Sequence, residues 1–369
     1  MNSAMPPLHR RRFLQATALA GAAALAGLPA RAADAAKPRR RNIKLGLDNF
    51  AVRAMGWKAP QLIDYAVKLK TDSLFITDFY ALENFEDKSL KELRAKAADQ
   101  GLQIQLGTWS ICPTSKAFKK DWGTAEELLA LGIRMAKALG SPVLRVVLGT
   151  REDRKTEGGI EARIADTVKV CKALRSQAVD ADVKIAVENH AGDLQATELV
   201  SLIEAAGKDF VGANLDSGNA VWTAEDPLDS LEKLGRYAFT TSLRDTMLWE
   251  SPNGAMAQWT AMGEGVVDWK IYFDRFEKLC PGVPVHIETI SGFAHEIPFG
   301  EPGFWDGFPR AGADDRARFT ALAGRGKALA PFKPAQGQDR KQAEQKYQKA
   351  ELERSLHYCK NTLGLGLKD

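Results

Sequence analysis

The feature that most limits the fold is a regular alternation of short apolar runs with longer amphipathic stretches. Eight runs have the length and composition of β-strands. They are Ile43–Leu47, Ser73–Thr77, Gln103–Gly107, Val143–Leu148, Lys184–Glu188, Gly212–Asp216, Phe239–Leu243 and Val283–Glu288. Seven helical patterns separate them: Pro60–Leu69, Ser89–Gln100, Ala125–Leu139, Ile160–Gln177, Thr197–Ala206, Leu228–Leu234 and Trp269–Leu279. This order is typical of a parallel sheet covered by helices.

The number and character of the strands favour a closed sheet. Val143–Leu148 is nearly continuous in apolar residues, as parallel strands covered on both faces are. Eight βα units in about 250 residues is the size of a closed barrel. An open doubly wound sheet is the alternative, but no glycine-rich phosphate fingerprint follows the first strand. The sequence therefore predicts an α/β protein with a (β/α)8 TIM barrel over residues 42–369. A long lid or rim insertion at 292–336 precedes a last helix at 341–361.

The N-terminal segment carries an export pattern. Residues 10–15 match the twin-arginine pattern, an Ala/Gly/Leu run follows, and Ala30-Arg31-Ala32 fits a cleavage site. The apolar run from 16 to 28 is 13 residues long, whereas a spanning helix needs about 20. We therefore expect a twin-arginine signal peptide at 1–32, a linker at 33–41 and no stable membrane anchor, although an uncleaved anchor is the alternative. The predicted partner is the twin-arginine export machinery, and the predicted location is periplasmic or secreted.

Charge and cysteine content exclude two classes of function. The formal charge of +4 falls to zero without residues 1–32, which contain four arginines and no acid. A neutral body is a poor nucleic-acid binder, so no nucleic-acid partner is expected. The four cysteines have no zinc-type spacing, so a thiolate metal site is excluded and separate buried thiols are expected; they are Cys112, Cys171, Cys280 and Cys359.

Three acids follow apolar runs at the carboxyl ends of predicted strands: Glu188, Asp216 and Glu288. In a barrel these ends share one mouth, where the active site is built. Each alone could be an ordinary loop acid. Together, carboxylates about 4 Å apart would repel by up to about 4 kcal/mol per pair at an effective dielectric of 20. A cation or a shared proton must relieve that repulsion, and the oxygen-rich set favours Mn²⁺ or Mg²⁺ over Zn²⁺.

Four motifs at the ends of strands five to eight resemble one family. They are Glu188-Asn189-His190, Leu215-Asp216-Ser217-Gly218-Asn219, Leu243-Arg244-Asp245 and Ile287-Glu288-Thr289. Together they resemble the xylose-isomerase-like TIM-barrel superfamily of sugar (phosphate) isomerases and epimerases, over residues 42–295. The resemblance implies one divalent ion held by Glu, Asp, His and Glu. Carried over by position, Glu188, Asp216 and Glu288 are metal ligands, and Glu188 and Glu288 are also the catalytic acid/base pair.

The chain departs from that pattern at two positions. Ser242 stands where the family places a histidine ligand, so the fourth ligand stays open. The candidates are a water held by Ser242, an adjusted Asp245, His190 and His286. Asn219 stands where many relatives have a substrate-orienting histidine, although an amide can still hydrogen-bond hydroxyl groups. His190 is a further substrate-binding candidate. His286 is expected to lie deeper, as a core histidine.

Three more residues are predicted to contact substrate. Arg145 lies inside an apolar strand and needs a partner, either a site carboxylate or a substrate oxygen. Arg244, beside the position of the absent histidine, has the same two interpretations. Trp109 belongs to a predicted mouth loop, where its flat face could stack on a sugar ring. The segments 249–263 and 292–336 are interpreted as lids or rim elements, with a loosely ordered surface insertion as the alternative.

The sequence therefore predicts an exported, divalent-metal-dependent sugar isomerase or epimerase with a small-molecule carbohydrate substrate. Carboxylates would move a proton next to a carbonyl, through an enediolate. Because phosphorylated sugars are generally cytoplasmic, a keto-sugar or an oxidised glycoside is the expected substrate. The alternatives are a lyase that eliminates β to the carbonyl of a 3-keto-glycoside and a non-catalytic sugar-binding barrel. A His-rich multi-zinc nuclease does not fit five histidines and a neutral body.

Overall fold

The computed structural model describes residues 39–290 and 292–368. The predicted signal peptide and residues 33–38 of the predicted linker lie outside these ranges. Eleven strands occur in the described part, and the eight predicted ones are among them. They are β1 (Leu45–Asp48), β2 (Ser73–Ile76), β3 (Gln103–Ser110), β4 (Val143–Val147), β5 (Lys184–Glu188), β6 (Val211–Asp216), β7 (Ala238–Ser242), β8 (Asp245–Ser251), β9 (Gly254–Thr260), β10 (Val285–Ile287) and β11 (Ala294–Ile297).

Eight strands form one parallel sheet in the order β10-β1-β2-β3-β4-β5-β6-β7. A parallel bridge between Leu243 and Ile287 brings the two end strands together, so the sheet is nearly closed. Helices lie between successive strands, and the predicted (β/α)8 TIM barrel is confirmed. The register places Asp216 beside Ser242 on the neighbouring strand. Residues that follow the last paired positions therefore meet at one end of the barrel.

The helices follow the predicted pattern closely, with one break. They are α1 (Ala59–Lys68), α2 (Asp87–Ala98), α3 (Ala125–Leu139), α4 (Gly159–Ala173), α5 (Arg175–Ala181), α6 (Ala196–Ala206), α7 (Ser217–Ala220), α8 (Pro227–Leu234), α9 (Trp269–Leu279), α10 (Ala313–Ala323) and α11 (Arg340–Asn361). The single helix predicted over Ile160–Gln177 is divided at Leu174, whose φ of −101° and ψ of 9° leave helical geometry. The hydrophobic periodicity of the sequence continues across Leu174, so it does not predict that the helix is divided there.

Local sequence fixes the ends of α3, which, like α9, has the predicted bounds. The hydroxyl of Thr124 accepts a hydrogen bond from the Glu127 amide, and the Glu127 carboxylate accepts one from the Thr124 amide. This reciprocal pair satisfies two amides that the first turn leaves without helical partners. Gly140 ends the helix in the left-handed region, at φ 71°. Glycine adopts that conformation without the penalty a side chain brings.

An antiparallel sheet, in the order β11-β9-β8, stands beside the barrel mouth. The segment 249–263, interpreted from sequence as a lid or rim loop, lies largely in the β8–β9 hairpin. Its turn contains Pro252 and Asn253, residue types that favour turns, and Ser251 pairs with Gly254 across it. The hairpin is therefore an ordered rim element. The Pro-Asn-Gly sequence marks its turn, but the short flanking strands do not alternate strictly.

The insertion at 292–336 contains β11, a 3-10 turn at Phe304–Gly307 and α10. These elements pack on the hairpin around a second apolar core, separate from the barrel core. Its buried members include Leu248, Ala257, Ile297, Phe319 and Leu322. The insertion is therefore stabilised by an apolar core of its own. Within the described residues no helix combines the length and apolarity that a membrane crossing requires.

The beginning and end of the barrel are joined by polar contacts. Arg41, at the end of the predicted linker, is buried and pairs with Asp274 and Glu277 of α9. The Arg41 amide donates to the carbonyl of Gly364 after α11. The four cysteines are buried and unbridged, as separate thiols. The ordered barrel therefore begins by residue 41.

Candidate active site

The three acids that follow strands five, six and eight converge. Glu188 ends β5, Asp216 ends β6, and Glu288 directly follows β10. One carboxylate oxygen of each lies within 4.8 Å of the others. Their exposed fractions are 1%, 0% and 6%. The barrel therefore brings together, as buried side chains, the three acids predicted as metal ligands, including the two predicted as the catalytic pair.

Two buried arginines partner these acids. The Nε of Arg145 donates to Glu188 Oε2 at 2.5 Å, and another guanidinium nitrogen donates to the Thr108 carbonyl at 2.8 Å. Arg244 pairs with both other acids: it donates to Asp216, and its Nη1 lies 2.7 Å from Glu288 Oε2 without the alignment of a hydrogen bond. Of the two interpretations open for each arginine, the structure shows the pairing with site carboxylates.

A fourth buried carboxylate, Asp48 at the end of β1, joins the cluster and was missed from the sequence. The hydroxyl of Ser242 donates to Asp48 Oδ2 at 3.3 Å. Asn214, also missed, donates from its amide to Glu188 Oε2 at 2.8 Å and to Ser242 at 3.2 Å. Asp48 follows an apolar strand as the other acids do, and Asn214 precedes Asp216 by two residues on the same strand face. Both signals were present in the sequence.

Burial and neighbouring charges shift the pKa values of these acids in different directions. Burial raises the pKa of Asp48 well above its ordinary value, and Glu288 adds to the effect. Burial also raises the pKa values of Asp216 and Glu288, although Arg244 opposes the shift in both. The pKa of Glu188 is lowered, because Arg145, His190 and Arg244 together outweigh its burial. Two glutamates with opposite shifts are suited to act as base and acid.

Asn219 and His190, both predicted as substrate contacts, lie beside the acids. The Asn219 amide donates to Glu188 Oε1 at 3.0 Å and to Asp216 Oδ2 at 2.8 Å. His190 Nδ1 lies 2.8 Å from the carbonyl of Gly149, which can only accept. Burial lowers the pKa of His190 to about 4. At neutral pH the proton is therefore on Nδ1, and Nε2 is a hydrogen-bond acceptor.

Trp109, Asp245 and His286 have their polar groups engaged elsewhere. The Trp109 indole N–H donates to the Ala117 carbonyl, and its ring meets that of His190 edge-on, with centroids 5.2 Å apart. Asp245 accepts from three backbone amides, those of Thr246, Gly263 and Gly265. It holds the loop after β9 and lies outside the group of three acids. His286 is fully buried in the barrel interior, with Nε2 2.9 Å from the Ser73 hydroxyl.

The donors present can hold a divalent cation. Four buried carboxylates face two buried guanidiniums, which leaves an excess of two negative charges when all are ionised. Glu288 Oε2 is buried without a hydrogen-bond donor among the described residues. Ser242 contributes oxygen where the resemblance implies nitrogen, and an oxygen-only set is what hard cations prefer. Arg244 would have to share Asp216 and Glu288 with such an ion.

Comparison with known proteins gives distant relatives. A 3-oxo-isoapionate decarboxylase of Pectobacterium atrosepticum is 21% identical over 170 residues, which cover 46% of this chain and 54% of the relative. The chain thus spans about half the length of that curated protein. A D-psicose 3-epimerase solved in the presence of D-fructose aligns with a TM-score of 0.56 at 14% identity, over 87% of this chain and 100% of the other.

A third relative is a xylose isomerase-like TIM-barrel protein of Mycobacterium smegmatis in complex with magnesium. It aligns with a TM-score of 0.52 at 17% identity, over 76% of this chain and 97% of the other. At such identities the two structural alignments show the fold alone. Residues 51–305, more than half of the chain, match the family described as xylose isomerase-like TIM barrel. The resemblance predicted from the four motifs is thereby confirmed, and this chain belongs to the xylose isomerase-like TIM-barrel family.

Proposed function

We propose that this protein is a divalent-metal-dependent isomerase or epimerase of a keto-sugar or an oxidised glycoside. The observation that carries the proposal is the convergence of Glu188, Asp216 and Glu288 within 4.8 Å, with the pKa values of the two glutamates shifted in opposite directions. Family membership adds support, because the D-psicose 3-epimerase shares this fold. The magnesium complex of the mycobacterial relative supports a hard cation, and we propose Mn²⁺ or Mg²⁺.

The two glutamates divide the proton transfer. Glu188, ionised beside Arg145, removes the proton from the carbon next to the carbonyl. Glu288, whose pKa is raised, returns a proton to the resulting enediolate. Return to the opposite face of the same carbon gives epimerisation, and return to the neighbouring carbon gives isomerisation. When bound by Glu188, Asp216 and Glu288, the cation would polarise the substrate carbonyl and lower the energy of the enediolate.

Neighbouring side chains orient the substrate and the acids. The Asn219 amide bridges Glu188 and Asp216 and fixes the direction of both carboxylates. The acceptor Nε2 of His190 can receive a hydrogen bond from a substrate hydroxyl. Arg244 supplies a fixed positive charge beside Glu288, where negative charge develops on the substrate oxygens. Burial of all these groups strengthens their interactions with the reacting atoms.

A lyase is the second candidate, favoured by the likeness to a decarboxylase that acts on a 3-oxo compound. Decarboxylation or β-elimination next to a carbonyl passes through the same kind of enolate as isomerisation. The positive charges would stabilise the enolate in both reactions. Glu188 would act as the base only in the β-elimination, whereas Glu288 would protonate the enolate that remains after loss of CO2. Product analysis separates the candidates, because a lyase releases a fragment while an isomerase conserves the mass of its substrate.

We also propose that the protein is exported from the cytoplasm. Residues 1–32 support export by the twin-arginine machinery to the periplasm or beyond, and a free sugar or glycoside is then the expected substrate. A fusion of residues 1–41 to a reporter that is active only when exported tests this. Substitution of Arg11 and Arg12 by Lys should retain the reporter in the cytoplasm. Export that survives this change contradicts the twin-arginine proposal.

The central experiment is solvent exchange. The protein, loaded with Mn²⁺, is incubated with keto-sugars and 3-keto-glycosides in heavy water, and deuterium next to the carbonyl is measured by mass spectrometry. We expect incorporation by the wild type and a loss of about 10²- to 10⁴-fold in Glu188→Gln and Glu288→Gln. Glu351→Gln is the matched control, since Glu351 is also buried but lies on α11 beside Arg354.

Two results would overturn the proposal. Absence of exchange by the metal-loaded wild type on every keto-sugar tested would favour a non-catalytic sugar-binding barrel. Exchange that survives both glutamine substitutions would place the chemistry elsewhere in the protein. Loss of exchange in Glu351→Gln as well would mean that the glutamine variants report on folding instead of on the proton transfer.

A further inference from the structure

A cavity of about 600 Å³ lies beside the barrel mouth, between the barrel loops and the insertion. The loop after β4 lines one side with Arg151 and Lys155, and the loop after β6 contributes Trp222. Phe304 and Phe308 of the insertion line the other side. The volume falls within the usual range of small-molecule sites, roughly 300 to 1,000 Å³. None of the acids of the candidate active site lines this cavity, so the proposed reaction leaves it without a role.

Aromatic side chains connect the cavity to the acids. Trp222 lines the cavity and contacts Trp259, with ring centroids 5.8 Å apart. The guanidinium carbon of Arg244 lies 4.5 Å from the centre of the Trp259 ring. Arg244 in turn pairs with Asp216 and Glu288. Two contacts, Trp222 with Trp259 and Trp259 with Arg244, therefore join the cavity wall to the arginine that touches the acids.

The wall at Trp222 is a stiff, uncharged platform. The His295 ring stacks on Trp222 with centroids 3.5 Å apart and planes 9° from parallel. Burial, with Arg151 and Arg244 nearby, lowers the pKa of His295 to about 3, so the ring is neutral at physiological pH. Both His295 nitrogens and the Trp222 indole nitrogen are buried without hydrogen-bond partners in the described part of the chain. These nitrogens have almost no exposed surface, so the wall offers a ligand the apolar part of the Trp222 ring and not a hydrogen bond.

The charges around the cavity nearly cancel. Arg154 is paired with buried Glu198, and Arg151 lies 3.4 Å from Glu152. Lys155 lines the cavity together with acids from the insertion, among them Glu296 and Glu301. A strongly charged ligand would gain little here. Flat aromatic walls with a balanced polar rim favour a neutral ring that offers an apolar face and hydroxyl edges.

We propose that this cavity is a subsite for a second ring, joined by a glycosidic bond to the sugar that reacts at Glu188 and Glu288. The substrate is then a glycoside, and the ring in the cavity is either a second sugar or an aromatic aglycone. This assignment rests on the proposed function, because it takes the reacting sugar to lie at the acids. It narrows the substrate class from keto-sugars in general to keto-sugars that carry a substituent.

Binding of unreactive glucosides tests the subsite without catalysis. Affinities for methyl β-glucoside, cellobiose and phenyl β-glucoside are measured by calorimetry with metal-loaded protein. We expect at least tenfold tighter binding of cellobiose or phenyl β-glucoside than of methyl β-glucoside. The tighter of the two identifies the second ring as a sugar or an aromatic group. Equal affinities for all three compounds would overturn the subsite.

A pair of adjacent aromatic residues gives a matched control. Phe304 and Trp305 share one 3-10 turn, but Phe304 lines the cavity and Trp305 does not. Phe304→Ala should weaken binding of the preferred two-ring compound about tenfold, because a stacking contact is lost. Trp305→Ala should leave its affinity within about twofold. Equal losses in the two variants would overturn the assignment of the second ring to this cavity.

Failure of the subsite and failure of the proposed reaction give different results. If the wild type exchanges deuterium into keto-sugars but shows no preference for two rings, the subsite is wrong and the reaction stands. If two-ring compounds bind preferentially but no keto-glycoside exchanges, the reaction is wrong and the binding site stands. Glu188→Gln should keep the preference for two rings while losing exchange, because the cavity lies apart from Glu188.

Discussion

The acidic barrel mouth and the aromatic insertion beside it are built by opposite means. At the mouth, charged side chains project from the ends of parallel strands and are held by one another, as Arg145 holds Glu188 and Arg244 holds Asp216 and Glu288. In the insertion, rings and aliphatic side chains pack in a small core of their own, and Phe319 is one of its fully buried members. The first arrangement suits a reaction, and the second suits recognition of a ligand's shape.

The difference teaches where each kind of function can be placed on this fold. Groups that must be held within fractions of an ångström are best carried by the rigid strands of the sheet. Groups that select a substrate can be added in loops, because loops tolerate insertion without disturbing the barrel. Substitutions should therefore act differently in the two regions. At the mouth they should act by changing charge, and in the insertion they should act by changing packing.

The largest effect is expected at Arg244. Arg244→Leu leaves Asp216 and Glu288 buried without their cation and should destabilise the metal-free protein by as much as about 5 kcal/mol. Added Mn²⁺ should recover much of that loss, because an ion that binds only the folded state stabilises it. Urea unfolding with EDTA and with Mn²⁺ measures both quantities.

Arg244→Lys is the control for that prediction, since it keeps the charge at the mouth. It should cost less than the leucine variant and respond less to Mn²⁺. If Arg244→Leu in EDTA were as stable as the wild type, the acids would not depend on a cation, and the contrast between the two regions would fail.

The strand order and the convergence of the three acids can be predicted from the sequence for a physical reason. Apolar runs of strand length repeat at regular spacing, and the end of a parallel strand fixes where the next residue lies. The strand pattern alone thus predicts that Glu188, Asp216 and Glu288 lie together, as they do. Asp48 obeys the same rule, but its strand was predicted to end one residue earlier, at Leu47. Its burial beside Ser242 follows only once the barrel closes and β1 adjoins β10.

Other features depend on contacts that lie far apart in the chain. The pairing of Arg244 with two acids requires the relative rotation of three strands, which no local pattern specifies. The stacking of His295 on Trp222 joins residues 73 positions apart, from β11 and the loop after β6. The hairpin of β8 and β9 was not predicted, because about half of its sequence has the composition of a loop. Local periodicity predicts elements, whereas the cavity between elements is a tertiary property.

The insertion should respond to the loss of a single ring. Phe319 is fully buried and meets Phe299 edge-on, with centroids 5.5 Å apart. Phe319→Ala should cost about 3 to 4 kcal/mol through lost burial and the remaining void. Binding of the preferred two-ring glucoside should weaken with it, while Mn²⁺ affinity at the mouth stays within about twofold. A parallel loss of Mn²⁺ affinity, measured by calorimetry, would show that the two regions are not separable.

A buried carboxylate lies where the barrel meets the insertion. Glu225 is buried, accepts from the Ala196 amide and lies 3.7 Å from Lys233, which also pairs with Asp315 of α10. Burial raises the pKa of Glu225 to about 7, although Lys233 opposes the shift. Because the folded-state pKa is the higher one, this group's contribution to stability is complete below about pH 4.5. It is lost as the pH rises through about 7.

Glu225→Gln should remove that pH dependence. Between pH 5 and pH 8 the wild type should lose about 2 to 3 kcal/mol of stability through this group, and the variant should lose correspondingly less. The measurement is urea unfolding across that range, with Glu351→Gln as a buried carboxylate control. An unchanged pH profile in Glu225→Gln would mean that the carboxylate is ionised throughout the range.

The smallest effect is expected from the ion pair between Arg318 of α10 and Asp229 of α8. Their atoms are 2.8 Å apart, but the Arg318 side chain is 53% exposed. Water screens such a pair, so it should contribute only about 0.5 kcal/mol. A double-mutant cycle of Arg318→Ala and Asp229→Ala, followed by urea unfolding, measures the coupling. A coupling above about 1.5 kcal/mol would show that water does not screen this pair and that charge adds substantially to the Phe319 core in holding the insertion.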